Sequence, residues 1–449
     1  MSKRTDTIVA RATPPGRGGI AVIRISGPNV KEIAAQLIGG VPEPRYATFT
    51  NFVDANGEPV DSGIALFFPA PNSFTGDDVL ELQGHGGQMI CDLLIERVLE
   101  LGARLAEPGE FSRRAFLNDK LDLSQAEAIA DLIDSGSRMA ARAAERSLRG
   151  EFSAAVMTLN QKVTDLRMHV EAAIDFPDED IDFLTDTALA ARLVDVEAEF
   201  TRLQDKARQG RLLRDGIHIV LAGRPNVGKS SLLNALAGYD AAIVTDVPGT
   251  TRDLVREYID LDGLPLHIVD TAGLHDGAGQ VELEGIRRAR EQLATADHAL
   301  VIVDASAERG NDTAELLEQL PSDLGFTIVR NKIDLTGEKP GVSESDVNTI
   351  NLSALTGAGI DSLRREIHNS VGFEVDAAGT ITARQRHLDR IRDARQHFEA
   401  GCIQLREHHA GELMAEELLQ AQNALAEITG EFTSDDLLGK IFGSFCIGK

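Results

Sequence analysis

A glycine-rich loop between a buried strand and a helix constrains this 449-residue chain more than any other feature of its sequence. Ile217 to Leu221 form an apolar run typical of a buried strand, and the loop from Gly223 to Ser230 leads into a helical pattern from Ser231 to Leu236. Consecutive backbone N–H groups in such a loop bind phosphate, together with the partial positive charge at the helix N-terminus. The sequence therefore predicts an α/β unit with a phosphate site.

The side chains of this loop suit particular parts of a nucleotide. Lys229 is expected to lie along the β and γ phosphates and to act in catalysis, and the Ser230 hydroxyl is expected to be a magnesium ligand. The phosphate-binding segment comprises Asn226, Val227, Gly228, Lys229, Ser230 and Ser231. A glycine-rich turn that matches by chance is the competing interpretation, and the motifs farther along the chain argue against it.

A second apolar strand pattern, Leu266 to Val269, ends in Asp270, Thr271, Ala272 and Gly273. The Asp270 carboxylate can hold magnesium through water, and the Gly273 N–H can meet the γ phosphate. In small signalling GTPases a glutamine follows this motif and orients the attacking water, but Leu274 follows it here. Hydrolysis then needs another polar group. Glu282 is a candidate general base, and a solvated helix-surface glutamate is the alternative interpretation.

A third strand pattern, Phe326 to Val329, precedes Asn331, Lys332, Ile333 and Asp334. The Asp334 carboxylate can accept hydrogen bonds from the ring N–H and the exocyclic amine of guanine, a pair of donors that adenine does not offer. GTP is favoured over ATP, because a site built for polar pairing is left unpaired by the wrong base. After a further strand pattern, three residues are expected to close over the base: Ser353, Ala354 and Leu355.

The overall composition limits the partners and the compartment. The chain carries 45 basic and 71 acidic residues, and its net charge of −26 argues against a broad electrostatic grip on a nucleic-acid backbone. No signal peptide or apolar stretch of about 18 residues is evident, so we expect a cytoplasmic protein that uses no membrane. The spacing of Cys91, Cys402 and Cys446 favours free thiols over a disulfide framework or a zinc site.

The first part of the chain is rich in strand patterns. Four short runs bounded by Gly, Pro and Asn predict strands at Thr7–Ala12, Gly19–Ile25, Gly63–Phe68 and Val79–Leu82. A single helical run, Met89 to Leu101, interrupts them. These patterns predict a compact α+β domain.

Helical patterns lie on both sides of the nucleotide unit. One block begins at Leu123 and runs to about Arg214, and a second runs from Leu388 to Ile428. We expect the two blocks to pack as one all-α helical domain, with the α/β P-loop GTPase domain inserted between them. The expected units are residues 1–118, 119–215, 216–371 and 372–449. The acidic run Asp178 to Asp182 is interpreted as a solvated turn.

Several further motifs, taken together with the nucleotide motifs, resemble those of the MnmE (TrmE) family of tRNA-modification GTPases. The resemblance covers essentially the whole chain. It is carried by residues 12–19 (ATPPGRGG), 23–27 (IRISG), 71–76 (PNSFTG), 82–87 (LQGHGG), 109–112 (GEFS), 246–253 (DVPGTTRD) and 445–449 (FCIGK).

The resemblance implies a homodimer with an N-terminal tetrahydrofolate-binding domain, like the folate-binding fold of aminomethyltransferases. It also implies a flavin-dependent partner, MnmG, in a heterotetramer or larger complex, with FAD bound to the partner. In that family the complex installs an aminomethyl or carboxymethylaminomethyl group on carbon 5 of the wobble uridine of certain tRNAs. A tetrahydrofolate in its 5,10-methylene or 5-formyl form is the one-carbon donor. GTP hydrolysis is linked to potassium-dependent pairing of the G domains.

The resemblance also assigns residues of the nucleotide site. Asn226 matches the family position whose side chain reaches potassium, and Thr251 matches the second magnesium ligand. Glu282 matches the catalytic glutamate, which favours the catalytic interpretation over the surface one. The loop around the potassium ion is matched by Thr245, Val247 and Thr250, within a GTP-binding segment of Thr245, Asp246, Val247, Pro248, Gly249, Thr250 and Thr251. A potassium ion supplies the positive charge that an arginine finger supplies elsewhere.

The family's folate positions are matched by Arg24, Glu81, Lys120 and Lys449. Cations suit a glutamyl tail or a carbonyl, and a carboxylate suits the amine and ring N–H of a pterin. An ordinary surface salt bridge is the alternative for each residue. Cys446 matches a position that the family places near the modification chemistry, as a nucleophile or a redox thiol.

Our first hypothesis is therefore a potassium-stimulated GTPase enzyme that drives wobble-uridine modification through conformational change. One alternative is a folate-loaded GTPase switch in tRNA-linked or ribosome-linked assembly, without modification chemistry of its own. Another is a free-standing aminomethyl carrier whose GTPase sets the dimer geometry. The C-terminal Cys446 and Lys449 distinguish them, because a pure switch has no use for either.

Overall fold

The computed structural model describes residues 6–175, 187–238, 256–270, 296–307, 312–318, 320–322, 324–343, 348–374, 379–431 and 435–448. The helices are α1 (Val30–Ile38), α2 (Gln88–Glu100), α3 (Glu110–Leu117), α4 (Leu123–Asp134), α5 (Arg138–Leu148), α6 (Glu151–Asp175), α7 (Thr187–Asp215), α8 (Lys229–Ala237), α9 (Asp312–Leu317), α10 (Ile360–Val371), α11 (Gln385–His408), α12 (Gly411–Thr429) and α13 (Asp435–Gly443).

The strands are β1 (Ile8–Arg11), β2 (Gly18–Ser26), β3 (Thr48–Val53), β4 (Pro59–Phe68), β5 (Val79–Gly86), β6 (Arg104–Leu105), β7 (Ile217–Ala222), β8 (Arg256–Leu261), β9 (Leu264–Asp270), β10 (His298–Asp304), β11 (Phe326–Asn331), β12 (Gly341–Val342) and β13 (Thr349–Asn351). A short 3-10 helix covers Ile333–Leu335. The acidic run Asp178 to Asp182 lies outside the described residues.

The N-terminal unit is a six-stranded sheet with strand order β3-β4-β5-β2-β1-β6. Helices α1 and α2 share one apolar core with the central strands of this sheet. On the paired strands β2 and β5, Arg24 lies opposite Glu81. The α+β class expected for this part of the chain is confirmed.

The expectation of a single helix in this unit is wrong, because α1 and α3 are also present and strands β3 and β6 were not expected. Helix α1 buries Val30, Ile33, Ala34 and Leu37, whose spacing is helical, but the run is short. Helix α3 buries Glu110 and Arg114 beside Phe111, so charged residues interrupt its apolar pattern. These two charged side chains pair with each other at 3.1 Å.

The nucleotide unit is a seven-stranded sheet with strand order β12-β13-β11-β10-β7-β9-β8. Strands β7, β9, β10, β11 and β13 run parallel, while β8 and β12 are antiparallel edge strands. The loops that leave the carboxyl ends of the parallel strands meet at one edge of the sheet, where ligands of open α/β sheets bind. Those loops carry the predicted nucleotide motifs.

Helices α6, α7, α11 and α12 form one bundle around a shared core. The core takes apolar side chains from before the nucleotide unit, such as Phe152 and Phe200, and from after it, such as Phe398 and Leu425. The rings of Phe200 and Phe398 lie 5.5 Å apart. The expected architecture, a P-loop domain inserted into an all-α domain, is thus confirmed. Among the described helices, none has the length and apolarity needed to cross a membrane.

Two buried acids of α4 connect the chain segments on either side of the inserted unit, and we call Glu127 and Asp131 the carboxylate clamp. The Asp131 carboxylate accepts hydrogen bonds from Arg214 Nε and Arg384 Nη2, each at 2.8 Å. Arg214 lies three residues before the start of β7, and Arg384 is the N-cap of α11. One carboxylate therefore holds both the entry to and the exit from the nucleotide unit.

The second acid of the carboxylate clamp, Glu127, is 1% exposed. Its carboxylate accepts from Arg386 Nε at 2.8 Å and Nη2 at 2.6 Å, and lies 2.9 Å from His387 Nε2. Burial alone raises the pKa of the Glu127 carboxyl, but the neighbouring His387 and Arg386 outweigh it and hold that pKa well below its usual value. Glu127 is therefore ionised, and its charge is balanced by Arg386, 259 positions away. Burial lowers the pKa of His387, which contributes a hydrogen-bonding partner 260 positions away.

The turn between β8 and β9 makes a second contact between the nucleotide unit and the helical domain. Ser137, the N-cap of α5, donates its hydroxyl to the Gly263 carbonyl at 3.1 Å. Gly263 has φ +96°, and a Cβ there would collide with Met139. The adjacent Asp262 pairs with Arg364 of α10 at 2.7 Å. The turn is thus held between α5 and α10.

We predict that Glu127→Gln lowers the free energy of unfolding by about 3 kcal/mol, because it leaves the partly buried Arg386 guanidinium beside a neutral amide. Thermal and urea unfolding measure this change. The matched control is Glu399→Gln, which removes a half-exposed partner of Arg395 and should cost less than about 0.5 kcal/mol. Equal stability of the Glu127→Gln variant and the unmodified protein would show that this charge does not join the two helical segments.

Candidate functional site

The loop between β7 and α8 has the backbone form of a phosphate cradle. Helix α8 begins at Lys229, and its N-cap Gly228 has φ +98° with no side-chain capping hydrogen bond. Asn226 is also left-handed, with φ +66°. Left-handed and right-handed residues in succession turn neighbouring N–H groups toward one concavity, where the helix dipole favours an anion. A phosphate fits this arrangement.

Two glycines of this loop are required by their surroundings. A Cβ on Gly223 would lie 2.6 Å from the Ile302 carbonyl oxygen, and a Cβ on Gly228 would overlap the Asn331 side-chain amide. Both contacts are too short for any side chain, and both residues have positive φ. The glycines therefore allow the phosphate loop to approach the ends of β10 and β11.

The side chain of Lys229 is buried and lies along the loop itself. Its ammonium donates to the Gly223 carbonyl at 2.7 Å and to the Arg224 carbonyl at 3.2 Å. Ser230 and Ser231 follow it in the first turn of α8 and are exposed. The loop thus brings together a cation, a hydroxyl and backbone N–H groups, which are the groups that a magnesium–phosphate ligand needs.

One side-chain amide joins the phosphate loop to the predicted guanine-binding loops. Asn331 Nδ2 donates to the Val227 carbonyl at 2.9 Å, while Asn331 Oδ1 accepts from Lys332 N at 2.8 Å and Ala354 N at 2.9 Å. Asn331 is buried, and so is Ser353. A buried amide that loses its hydrogen bonds is costly, and Asn331 makes three of them, so this amide fixes the three segments relative to one another.

The outer residues of these loops face solvent. Asp334, in the 3-10 helix Ile333–Leu335, is exposed, and Leu355 is 85% exposed. Both are therefore accessible to a base that enters from solvent. The structure brings together in one region Asn226, Val227, Gly228, Lys229, Ser230, Ser231, Asn331, Lys332, Asp334, Ser353, Ala354 and Leu355.

A contact that the sequence motifs did not reveal involves Asp304, at the end of β10. Its Oδ2 lies 2.6 Å from Lys332 Nζ, and the same ammonium donates to the Asn226 carbonyl at 2.8 Å. The sequence feature that could have indicated this contact is the position of Asp304 directly after the apolar run from Ala299 to Val303. Acids at that position lie at the edge where parallel strands end and ligands bind.

Several predicted site residues lie outside the described residues: Thr245, Asp246, Val247, Pro248, Gly249, Thr250, Thr251, Thr271, Ala272, Gly273, Glu282 and Lys449. Asp270 is the last residue of β9, and the described part of this residue is its backbone. The assignments of these residues to magnesium, potassium, catalysis and folate remain predictions.

Of the predicted folate residues that are described, Arg24 and Glu81 pair on the N-terminal sheet, and Lys120 follows helix α3. Arg24 Nε donates to Glu81 Oε1 at 2.9 Å, and both side chains are mostly buried. The Arg24 guanidinium lies 5.5 Å from the ring centre of Phe74 and 5.7 Å from that of Phe111. Phe74 and Lys120 line an open cavity of about 490 Å³. A carboxylate, two cations and aromatic surfaces fit a ring that carries an anionic tail.

The C-terminal segment returns to the N-terminal unit. The Cys446 carbonyl accepts a hydrogen bond from Gly109 N at 3.5 Å, and Phe445 is buried against Phe442. A Cβ on Gly448 would collide with the Arg11 carbonyl of β1. The Cys446 thiol is exposed beside this junction. The segment that carries the predicted thiol thus lies against the unit that carries the predicted folate residues.

Comparisons with solved structures return GTP-binding domains. An Era variant from Aquifex aeolicus bound to GDP and aluminium fluoride is 25% identical, with a TM-score of 0.27, and the match covers 41% of this chain and 67% of that one. The FeoB G domain from Methanococcus jannaschii is 28% identical over 35% of this chain and 98% of that one, with a TM-score of 0.27. These TM-scores are low, so the family assignment depends on the sequence profiles below.

Two family profiles match the chain in adjoining segments. The profile described as the N-terminus of the GTP-binding protein TrmE matches residues 7–120. The profile described as the MnmE helical domain matches residues 123–446, which include the inserted nucleotide unit. Together they account for nearly the whole sequence, and the order of the observed units agrees with them. The chain therefore belongs to the MnmE (TrmE) family.

Proposed function

We propose that this protein is a potassium-dependent GTPase that acts with the flavin-dependent protein MnmG on tRNA. The complex would install an aminomethyl or carboxymethylaminomethyl group on carbon 5 of the wobble uridine. The observation that carries the GTPase part is the buried amide of Asn331, which ties the guanine-binding loop to the phosphate loop through the Val227 carbonyl at 2.9 Å. Membership of the MnmE family supports the tRNA part.

The chain's own residues would divide the hydrolysis of GTP among them. Lys229 and the N–H groups at the start of α8 would stabilise negative charge on the phosphates, and Glu282 would orient water and accept its proton. Ser230 and Thr251 would hold magnesium, while Asn226, Thr245, Val247 and Thr250 would hold potassium. These ligands are oxygen donors, which hard cations prefer. When bound, the two cations supply positive charge beside the phosphates.

The N-terminal unit would bind a tetrahydrofolate through Arg24, Glu81, Lys120 and Lys449. Glu81, which accepts a hydrogen bond from Arg24, presents a carboxylate that can also accept N–H groups from a pterin. Cys446, exposed where the C-terminal segment meets this unit, would serve the modification chemistry. We also propose that the protein is a homodimer and that its units are residues 1–118, 119–215, 216–371 and 372–449, with both outer helical segments in one domain.

Asp334→Asn tests recognition of guanine. The carboxylate has two oxygens that accept from guanine, whereas the amide has one oxygen that accepts and an NH2 group that donates. The affinity for GTP should therefore fall by about 100-fold, while the affinity for xanthosine triphosphate should rise. Binding of fluorescent analogues of both nucleotides measures the exchange of preference. Asp361→Asn, at an exposed acid of α10, is the control and should leave both affinities unchanged. Undiminished GTP preference in the Asp334→Asn variant would remove Asp334 from the base site.

Glu282→Ala tests the catalytic base. GTP binding should be retained, and the turnover rate in potassium should fall by about 100-fold or more, because proton transfer to a positioned side chain is lost. Single-turnover hydrolysis separates binding from chemistry. Glu284→Ala, two positions away in the same acidic segment, should keep normal turnover. Comparable rates in the two variants would argue against a specific role for Glu282.

Nucleoside analysis of tRNA from cells that lack this protein tests the biological proposal. We expect the modified wobble uridine to disappear and to return when the unmodified protein is supplied, but not when the Glu282→Ala variant is supplied. Retention of the modified nucleoside in the deficient cells would refute the modification role. That result would instead support the alternative of a folate-loaded regulatory switch in tRNA-linked or ribosome-linked assembly.

A further inference from the structure

Two residues other than glycine adopt left-handed backbone conformations where the phosphate loop meets the guanine-binding loop. Asn226 has φ +66°, and Lys332 has φ +67°. Such conformations cost free energy in L-residues with a Cβ and persist only where surrounding contacts impose them. The two residues are joined directly, because Lys332 Nζ donates to the Asn226 carbonyl at 2.8 Å. The Lys332 side chain therefore holds the backbone of Asn226.

Asp304 sets the position of the Lys332 ammonium that makes this bond. Its Oδ2 lies 2.6 Å from Lys332 Nζ, and the other oxygen, Oδ1, accepts from Ser306 N at 3.0 Å and Ser306 Oγ at 2.6 Å. Both oxygens are thus held by donors, so the carboxylate has a defined orientation. The Asp304 side chain is 18% exposed, and that of Lys332 is 32% exposed. The pair is therefore partly shielded from solvent.

The charge on this carboxylate is secure at neutral pH. Burial raises the pKa of Asp304, but the Lys332 ammonium and the two Ser306 donors outweigh it and leave that pKa below its usual value. The side chains of Asn226, Asp304 and Lys332 line one cavity of about 360 Å³ beside the phosphate loop. Since β10 carries Asp304, this contact adds a fourth strand end to the three already joined by Asn331, which are those of β7, β11 and β13.

We propose that Asp304 is a positioning residue of the nucleotide site, which holds the Lys332 ammonium on the Asn226 carbonyl and thereby fixes the left-handed backbone of Asn226. This inference rests on the proposed GTPase function. Asn226 is the residue predicted to contact potassium, and Lys332 belongs to the guanine-binding motif. Loss of the Asp304 charge should therefore weaken nucleotide binding and potassium activation together.

An Asp304→Asn variant tests the inference with little change in shape. The dissociation rate of a fluorescent GDP analogue should rise by about tenfold, which corresponds to the loss of one charge-assisted hydrogen bond. The potassium concentration for half-maximal GTP hydrolysis should rise several-fold. The control is Glu338→Gln, which breaks a 3.0 Å ion pair of similar exposure with Arg330 in the same unit and should change neither quantity.

A double-mutant cycle distinguishes positioning from a general contribution to stability. If Asp304 acts through Lys332, adding Asp304→Asn to Lys332→Ala should change the GDP dissociation rate by less than twofold. Full additivity of the two substitutions would overturn the inference. Ser306→Ala, which keeps both charges but removes one donor to Asp304, should raise the dissociation rate by about two-fold to three-fold.

The outcomes separate this inference from the function on which it rests. If the unmodified protein bound no guanine nucleotide or hydrolysed none in potassium, the proposed function would be wrong and the inference would be overturned with it. If the unmodified protein bound and hydrolysed GTP, while Asp304→Asn and Ser306→Ala both matched it in GDP dissociation, only the inference would be overturned. Thermal midpoints of the variants establish that each is folded.

Discussion

The carboxylate clamp is the interaction on which the rest of the architecture depends. A domain inserted into a helical bundle separates the two halves of that bundle by more than 160 residues of sequence, from Asp215 to Arg384. Glu127 and Asp131 connect the two halves, because among the described residues their buried charges pair with Arg214 before the insertion and with Arg384 and Arg386 after it. Removing one partner would leave an uncompensated charge in a low-dielectric site. The bundle core adds apolar area, and the carboxylate clamp connects the chain on the two sides of the insertion.

The nucleotide unit could be predicted from local sequence because its chemistry is concentrated in short segments. Gly223 and Gly228 have no room for a Cβ, and the glycine-rich loop motif predicts glycine at both positions. Asn331, which bonds to the Val227 carbonyl, also belongs to a short motif that is visible in the sequence. Helical spacing before and after this unit predicted a single bundle, which the shared core confirms. The roles assigned to Glu282, Thr251 and the folate residues come from the family resemblance and remain predictions.

Other features could not be predicted because they depend on contacts between distant segments. Helix α3 buries the charged Glu110 and Arg114, whose partners include Arg104 and Asp6 from other segments. When the partners are unknown, Glu110 and Arg114 predict a solvent-exposed helix surface, because charged residues are rarely buried unless they are paired. The role of Asp304 likewise depends on Lys332, 28 residues away, and on the convergence of two parallel strands. The spacing of apolar residues in one sequence predicts helices and strands, but it does not predict which charged residues of distant segments will pair.

The turn between β8 and β9 at Gly263 connects the helical domain, through these two strands, to the edge of the sheet that carries the phosphate loop. Strands β8 and β9 pair in continuous register over six positions, from Arg256 opposite Val269 to Leu261 opposite Leu264. At the rise of a β-strand, six positions span about 20 Å. Because the ladder keeps its register, β9 connects Asp270 without interruption to the turn at Gly263, whose carbonyl accepts from the hydroxyl of Ser137. Helix α5 thus lies at one end of a continuous two-stranded ladder, and Asp270, a predicted magnesium residue, lies at the other end.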